Sequence, residues 1–280
     1  IIGLSRAGRD VPDGYIGAAE EYVRNHADSS GRLSAERATD NARLILALSA
    51  LGEDVTDFGG HNLLAPLGNM DYIEKQGLSG AVYALLALDG RGYDIPAAPD
   101  GARQTTREAL VNYLMDKQLA DGGWAFSGDE AEPDMTAMVI QALAAYYAAK
   151  PTDKLESAVK KAVDDGVARL SAMQTGTGGY VSYGTLNSES AAQVIVALTA
   201  LGIDPAEDAR FVKNGASVVD ALCAFYIDGG GFRHSMDGGR DDLATAQGYY
   251  ALAAYYRFTE GKTALFDMSD VSASASAKAA

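Results

Sequence analysis

TDNARLILALSALG, residues 39–52, and ESAAQVIVALTALG, residues 189–202, decide how this chain is read. Both place alanine or larger apolar residues at i, i+3, i+4 and i+7 and both stop at a glycine, the pattern of a helix buried along one face. The same frame, aligned on its Ala-Leu pair, returns as SGAVYALLALDG (79–90), DMTAMVIQALAAYY (134–147) and LATAQGYYALAAYY (243–256). The aligned leucines are Leu48, Leu88, Leu143, Leu198 and Leu252, so the repeat is 40 residues long once and 54 or 55 thereafter. That length suits a helical pair with loops of variable size. Ala42, Ala137, Ala192 and Ala246 share one repeat position, and a stripe of alanine lets helix axes approach closely. These segments are therefore expected to be inner helices.

Ahead of four of the five lies a second helical stretch and then a glycine turn: YVRNHADSSGRLS, YLMDKQLADGGWAF, RLSAMQTGTGGYVSY and ALCAFYIDGGGFRHS. Trp124, Tyr180 and Phe232 follow Gln118, Gln174 and Tyr226 by six residues each; the first repeat keeps the spacing with His26 and Arg32 but lacks the aromatic. Five pairs and a leading half-helix over residues 1–7 predict an all-α chain, an α/α toroid of about six helix pairs covering residues 1–266. The Ser- and Ala-rich stretch 267–280 reads as a flexible linker. Residues 1–8, closed by Gly8, resemble the last turn of a helix rather than a signal peptide, so the chain is expected to start inside a longer protein.

Composition excludes several classes of function. Lys and Arg total 23 against 38 Asp and Glu, a formal charge of −15 with no basic stripe, which repels phosphate backbones and anionic membranes. No nucleic-acid partner is expected. The longest apolar run, residues 137–149, is broken by Gln141 and falls short of the ~20 residues that span a bilayer, so it reads as a core helix and no membrane insertion is expected. The single cysteine, Cys223, sits in the apolar run VVDALCAFY and is expected to be a buried, inert thiol.

The Gln-x4-Gly-Trp spacing from Gln118 to Trp124 resembles the glutamine-tryptophan repeat of squalene and hopene cyclases and of the protein prenyltransferase toroids, over residues 1–266. More narrowly, residues 39–64, 105–125, 188–205 and 208–222 resemble the prenyltransferase-like repeat regions of large bacterial cell-surface proteins, which have no assigned chemistry. The resemblance implies a bacterial extracellular or cell-surface location and further domains in a longer surface protein.

PDMTA, residues 133–137, resembles the acid motif of the cyclases and puts Asp134 at the position of the proton donor. Met135 stands where that motif has a further aspartate, and residue 132 is Glu. The competing reading makes Asp134 a helix cap, because an acid or hydroxyl recurs at the start of each inner helix: Thr39-Asp40, Ser79, Ser188-Glu189 and Asp241-Asp242. Asp134 and Glu189 together could also serve a glycan as general acid and base. The zinc site of prenyltransferases uses Asp, Cys and His, which Asp220, Cys223 and His234 offer without the family's spacing. The glycine-rich loop carrying Asp228, Asp237, Asp241 and Asp242 lacks the EF-hand spacing and reads as a solvated loop ahead of a helix, with calcium as the competing reading. No metal and no cofactor are expected.

In a toroid the starts of the inner helices gather at one end, which places Trp124, Tyr180 and Phe232 near Asp134, Glu189 and Asp242 at a pocket mouth, where the rings serve either as a binding platform or, as the resemblance to the glutamine-tryptophan repeats implies, as structural pegs between adjacent outer helices. One and two turns further in come Arg43, Tyr83, Met138, Gln193, Gln247, Gln141 and Tyr250. Such a polar, amide-rich lining suits a polar small molecule or glycan better than a hydrocarbon. The sequence thus predicts a non-catalytic binding or scaffold module, with a cyclase-like or glycan-active enzyme using Asp134 as the alternative.

Overall fold

The computed structural model describes residues 1–148 and 150–274. Among them are eleven α-helices and three short antiparallel hairpins. They form two compact units, one of residues 1–114 with 266–274, the other of residues 115–265.

The first unit holds α1 (Ile2–Arg6), α2 (Tyr15–His26), α3 (Ala38–Leu51), α4 (Met70–Glu74), α5 (Gly77–Asp89) and most of α6 (Arg107–Asp116). Helix α3 packs on α5, as their shared apolar frame predicts, burying Ile45, Leu48, Leu85 and Leu88. Asn41, buried at the start of α3, satisfies three backbone groups: it accepts from Leu33 N at 2.9 Å and donates to the Gly31 and Leu63 carbonyls at 2.8 and 3.2 Å.

The stretch read as a flexible linker from residue 267 is instead part of this unit. Met268 is fully buried and its N–H donates to Gly90 O at 2.7 Å, and Ser274 N donates to Gly52 O at 2.9 Å. The buried Arg6 guanidinium reaches Asp270 and the Asp267 carbonyl, each at 2.6 Å. A low-complexity composition concealed a few residues that complete the helix ends left open at Gly52 and Gly90. Residues 275–280 of that stretch lie outside the described residues.

The second unit runs α7 (Pro133–Leu143), α8 (Lys154–Met173), β1 (Tyr180–Ser182), β2 (Thr185–Asn187), α9 (Ser188–Ala200), β3 (Val212–Lys213), β4 (Ala216–Ser217), α10 (Val218–Cys223), β5 (Tyr226–Ile227), β6 (Gly231–Phe232) and α11 (Asp242–Thr259). The strands pair β1 with β2, β3 with β4 and β5 with β6. Helix α9 lies between α7 and α11 and is buried along nearly its whole length, hence its run of Ala, Val and Ile on every side. The core helix expected over 137–149 ends at Leu143, where a 3-10 turn, Ala144–Tyr146, takes over; Ala149 lies outside the described residues. Cys223 is exposed, not buried: in so short a helix only the face of Val218, Ala221 and Leu222 turns inward.

Candidate functional site

The turns that precede the helices of the second unit are built by side chains that the repeat motif supplies. Gln118 Nε2 donates to Gly122 O at 2.7 Å within its own turn and to Ala162 O on α8 at 2.8 Å. Gln174 does the same one repeat later, to Gly178 O at 2.9 Å and Phe211 O at 2.8 Å. Each glutamine therefore fastens a turn to the next outer segment. The aromatic that follows is clamped by a threonine of the inner helix: Trp124 N donates to Thr136 Oγ1 at 2.9 Å, and Phe232 N to Thr245 Oγ1 at 3.0 Å.

Trp124, Tyr180 and Phe232 are all fully buried or nearly so. Of the two expected roles the structure bears out the peg and corrects the aromatic platform at a pocket mouth: these rings fill the space between helices. Glycines make the sockets. A Cβ on Gly166 of α8 would stand 2.8 Å from the Trp124 ring, and one on Gly248 of α11 would stand 2.5 Å from the Phe232 ring. The Tyr180 hydroxyl is buried without a hydrogen-bond partner among the described residues, and burial pushes its pKa up.

Asp134 does not cap α7. The N-cap is Glu132, and Asp134 lies in the first turn with its carboxylate directed at α9, accepting from Ser190 Oγ at 2.9 Å. Ser182 of β1 puts its buried Oγ beside the same carboxylate. Burial holds the Asp134 carboxyl above the usual carboxylate range, more than the two serine hydroxyls draw it down. Among the other expected starts, α5 is capped by Gln76 and α3 by Arg37, neither through its side chain; α9 is capped by Asn187 and α11 by Asp241, whose side chains accept from Ser190 N and Ala244 N at 2.8 Å each. Of the residues named as caps from the sequence, Asp241 alone plays that part, because the helix starts fall one to three residues from where the repeat alignment put them.

Glu189 is buried at the start of α9 and bonds both carboxylate oxygens to His234 Nδ1, at 2.9 and 3.0 Å, and one to Ser188 Oγ at 3.0 Å. His234 also lines an open groove of about 540 Å³ with Gly184, Thr185, Leu186, Ser235, Met236 and Asp237. Sequence reading missed the Glu189–His234 pair because the partners are 45 residues apart. Deeper in, the amides read from the sequence as pocket lining bond one another. Gln141 Nε2 donates to Gln193 O and Oε1, both at 2.9 Å; Gln193 Nε2 donates to Gln247 Oε1 at 3.0 Å and also bonds the Tyr250 hydroxyl. This ladder crosses α7, α9 and α11. Met138 and Asp134 are half-buried on the same helix as Gln141.

In the first unit Arg43 is exposed and stacks over the half-buried Tyr83 ring, 5.7 Å from its centroid. Asp242 is exposed at the start of α11, where Arg240 reaches it at 3.5 Å. Asp237 accepts from Ser235 Oγ at 2.8 Å. Among the described residues no group of three or more His, Cys, Asp and Glu is placed to hold a metal ion, and no helix is long and apolar enough to cross a membrane.

No protein-family model and no curated protein matches the sequence. Among solved structures, ent-copalyl diphosphate synthase from Streptomyces platensis superposes with a TM-score of 0.57 at 18% identity, over 91% of this chain and 48% of that one. The fold is terpenoid-cyclase-like, of the α/α toroid class. At this identity the likeness concerns the fold alone, and the chain spans about half the length of that synthase.

Proposed function

We propose that this chain is a binding module for a polar small molecule or glycan, with the start of α7 and the α7–α9–α11 amide ladder as its recognition surface, set in a longer bacterial surface protein. The observation that carries the reading is the ladder from Gln141 through Gln193 to Gln247 and Tyr250. Amides on three adjacent helices offer donors and acceptors that a hydrocarbon cannot satisfy, and burying them against one would cost about 1–3 kcal/mol for each group left unpaired. Gln247 and Tyr250, at the half-buried end of the ladder, are the groups placed to exchange partners with a ligand. A calorimetric screen of polar metabolites and oligosaccharides should yield a ligand whose affinity falls at least tenfold in Gln247→Leu. A ligand bound equally well by that variant would remove the ladder from the site.

A second reading has its own support. Asp134 occupies the proton donor's place in PDMTA, and burial favours its protonated form, as a general acid requires. Against it, the side chain bonded to the carboxylate, Ser190, is neutral, and Met135 fills the position of the motif's further aspartate. Incubation with squalene and prenyl diphosphates should give no cyclised product by mass spectrometry. Product that disappears in Asp134→Asn would establish the cyclase reading and end the binding one.

A further inference from the structure

The turn of the β1–β2 hairpin is formed by Tyr183 and Gly184, both with positive φ, 48° and 80°. A tyrosine is a poor choice there: its Cβ crowds the backbone in the left-handed region, which is why Asn-Gly dominates such turns. This tyrosine adds nothing to the core, since it is 79% exposed. Its hydroxyl instead lies beside the carboxylate of Glu132, which raises the tyrosine pKa. The same carboxylate accepts at Oε1 from the Phe126 N–H, at 2.7 Å, and the Phe126 ring is 68% exposed. Glu132 is the N-cap of α7, yet its side chain makes no capping bond; it is spent on fixing two surface aromatics beside one carboxylate.

Acidic residues dominate the surroundings, and Arg169 of α8, which reaches the same loop, is paired with Asp121 at 3.1 Å. Asp129, Glu130 and Asp134 flank Glu132 in sequence, and neither residues 118–149 nor residues 170–209, the two stretches that contribute the rings, contain a lysine or arginine. From this juxtaposition we propose that Phe126, Tyr183 and Glu132 form a binding site for the quaternary ammonium group of a small organic cation. A poorly hydrated, diffuse cation gains from ring faces and a nearby carboxylate at an exposed site, whereas a primary ammonium keeps its water. The negative end of the site also outweighs the partial positive charge at the start of α7, which is about half an elementary charge. The site shares the start of α7 with the proposed recognition surface but uses no residue of the amide ladder.

The test uses choline as the probe and its uncharged isostere 3,3-dimethylbutan-1-ol as the control, in ligand-observed NMR. Saturation transfer to the choline N-methyl protons is expected with the wild-type chain and not to the isostere. Tyr183→Asn should abolish it, Glu132→Gln should weaken it at least tenfold, and Gln247→Leu should leave it unchanged. Tyr183→Asn installs the residue that the turn favours, so a circular dichroism melt at or above the wild-type temperature separates loss of the site from loss of the fold. Equal transfer to the isostere, or wild-type transfer in the folded Tyr183→Asn variant, would overturn the proposal.

Discussion

Two hairpins of the second unit solve one geometric problem with different residues. β3–β4 turns through Asn214 and Gly215, at φ 51° and 84°, and β1–β2 through Tyr183 and Gly184, at 48° and 80°. Asn214 suits its place twice over: it tolerates the left-handed region, and its Nδ2 donates to Gly176 O at 3.1 Å. Tyr183 is tolerated rather than favoured. The difference shows that backbone geometry leaves the side chain at such a turn to be chosen by something else, and in β1–β2 the chosen residue faces solvent beside Glu132.

The largest effect expected from this comparison follows exchange at the better turn. Asn214→Tyr should destabilise the chain by about 2 kcal/mol, the sum of left-handed strain and one lost side-chain hydrogen bond, read as a lower midpoint in urea. Sparing the fold entirely would mean that β3–β4 is as permissive as β1–β2 and would dissolve the contrast.

Next come the glycines. Both Gly184 and Gly215 have open space where a Cβ would project, so Gly184→Ala and Gly215→Ala should each cost about 1 kcal/mol through backbone strain alone. Unequal losses would show that the two turns differ in more than their first residue. Tyr183→Asn should raise stability by about 0.5–1 kcal/mol, the reverse of the change at residue 214.

A smaller, pH-dependent effect belongs to β1–β2 alone, through Ser182 beside Asp134. Because the folded carboxyl is raised above its unfolded value of 3.8, the folded chain retains a proton that the unfolded chain has released. Stability contributed by this group is greatest below the unfolded pKa, falls as pH rises through the window up to the raised value, and is level above it. Asp134→Asn should remove that slope, measured as urea midpoints from pH 4 to pH 7. An unchanged slope would place the titration elsewhere.

The helical frame was legible because burial along one face imposes a spacing that survives changes of loop length: the segments ending near Leu48, Leu88, Leu143, Leu198 and Leu252 are α3, α5, α7, α9 and α11. Gln141, Gln193 and Gln247 were legible as polar positions on those helices, read as pocket lining, but not as partners of one another. What lay outside that frame was not. Whether Trp124 faces solvent depends on a glycine 42 residues away, Gly166, whose missing side chain makes its socket. Asp134 looked like a cap because an acid near a helix start usually is one, but its direction is set by Ser190 on the neighbouring helix. The binding of residues 267–274 to Gly52 and Gly90, the Glu189–His234 pair and the Phe126–Glu132–Tyr183 cluster each join segments that the repeat does not relate. The sequence by itself determined which segments are helices and which faces are buried, because those follow from local periodicity. Tertiary structure alone decided which polar groups meet and which rings remain in water, because each outcome depends on what a distant segment presents or leaves out.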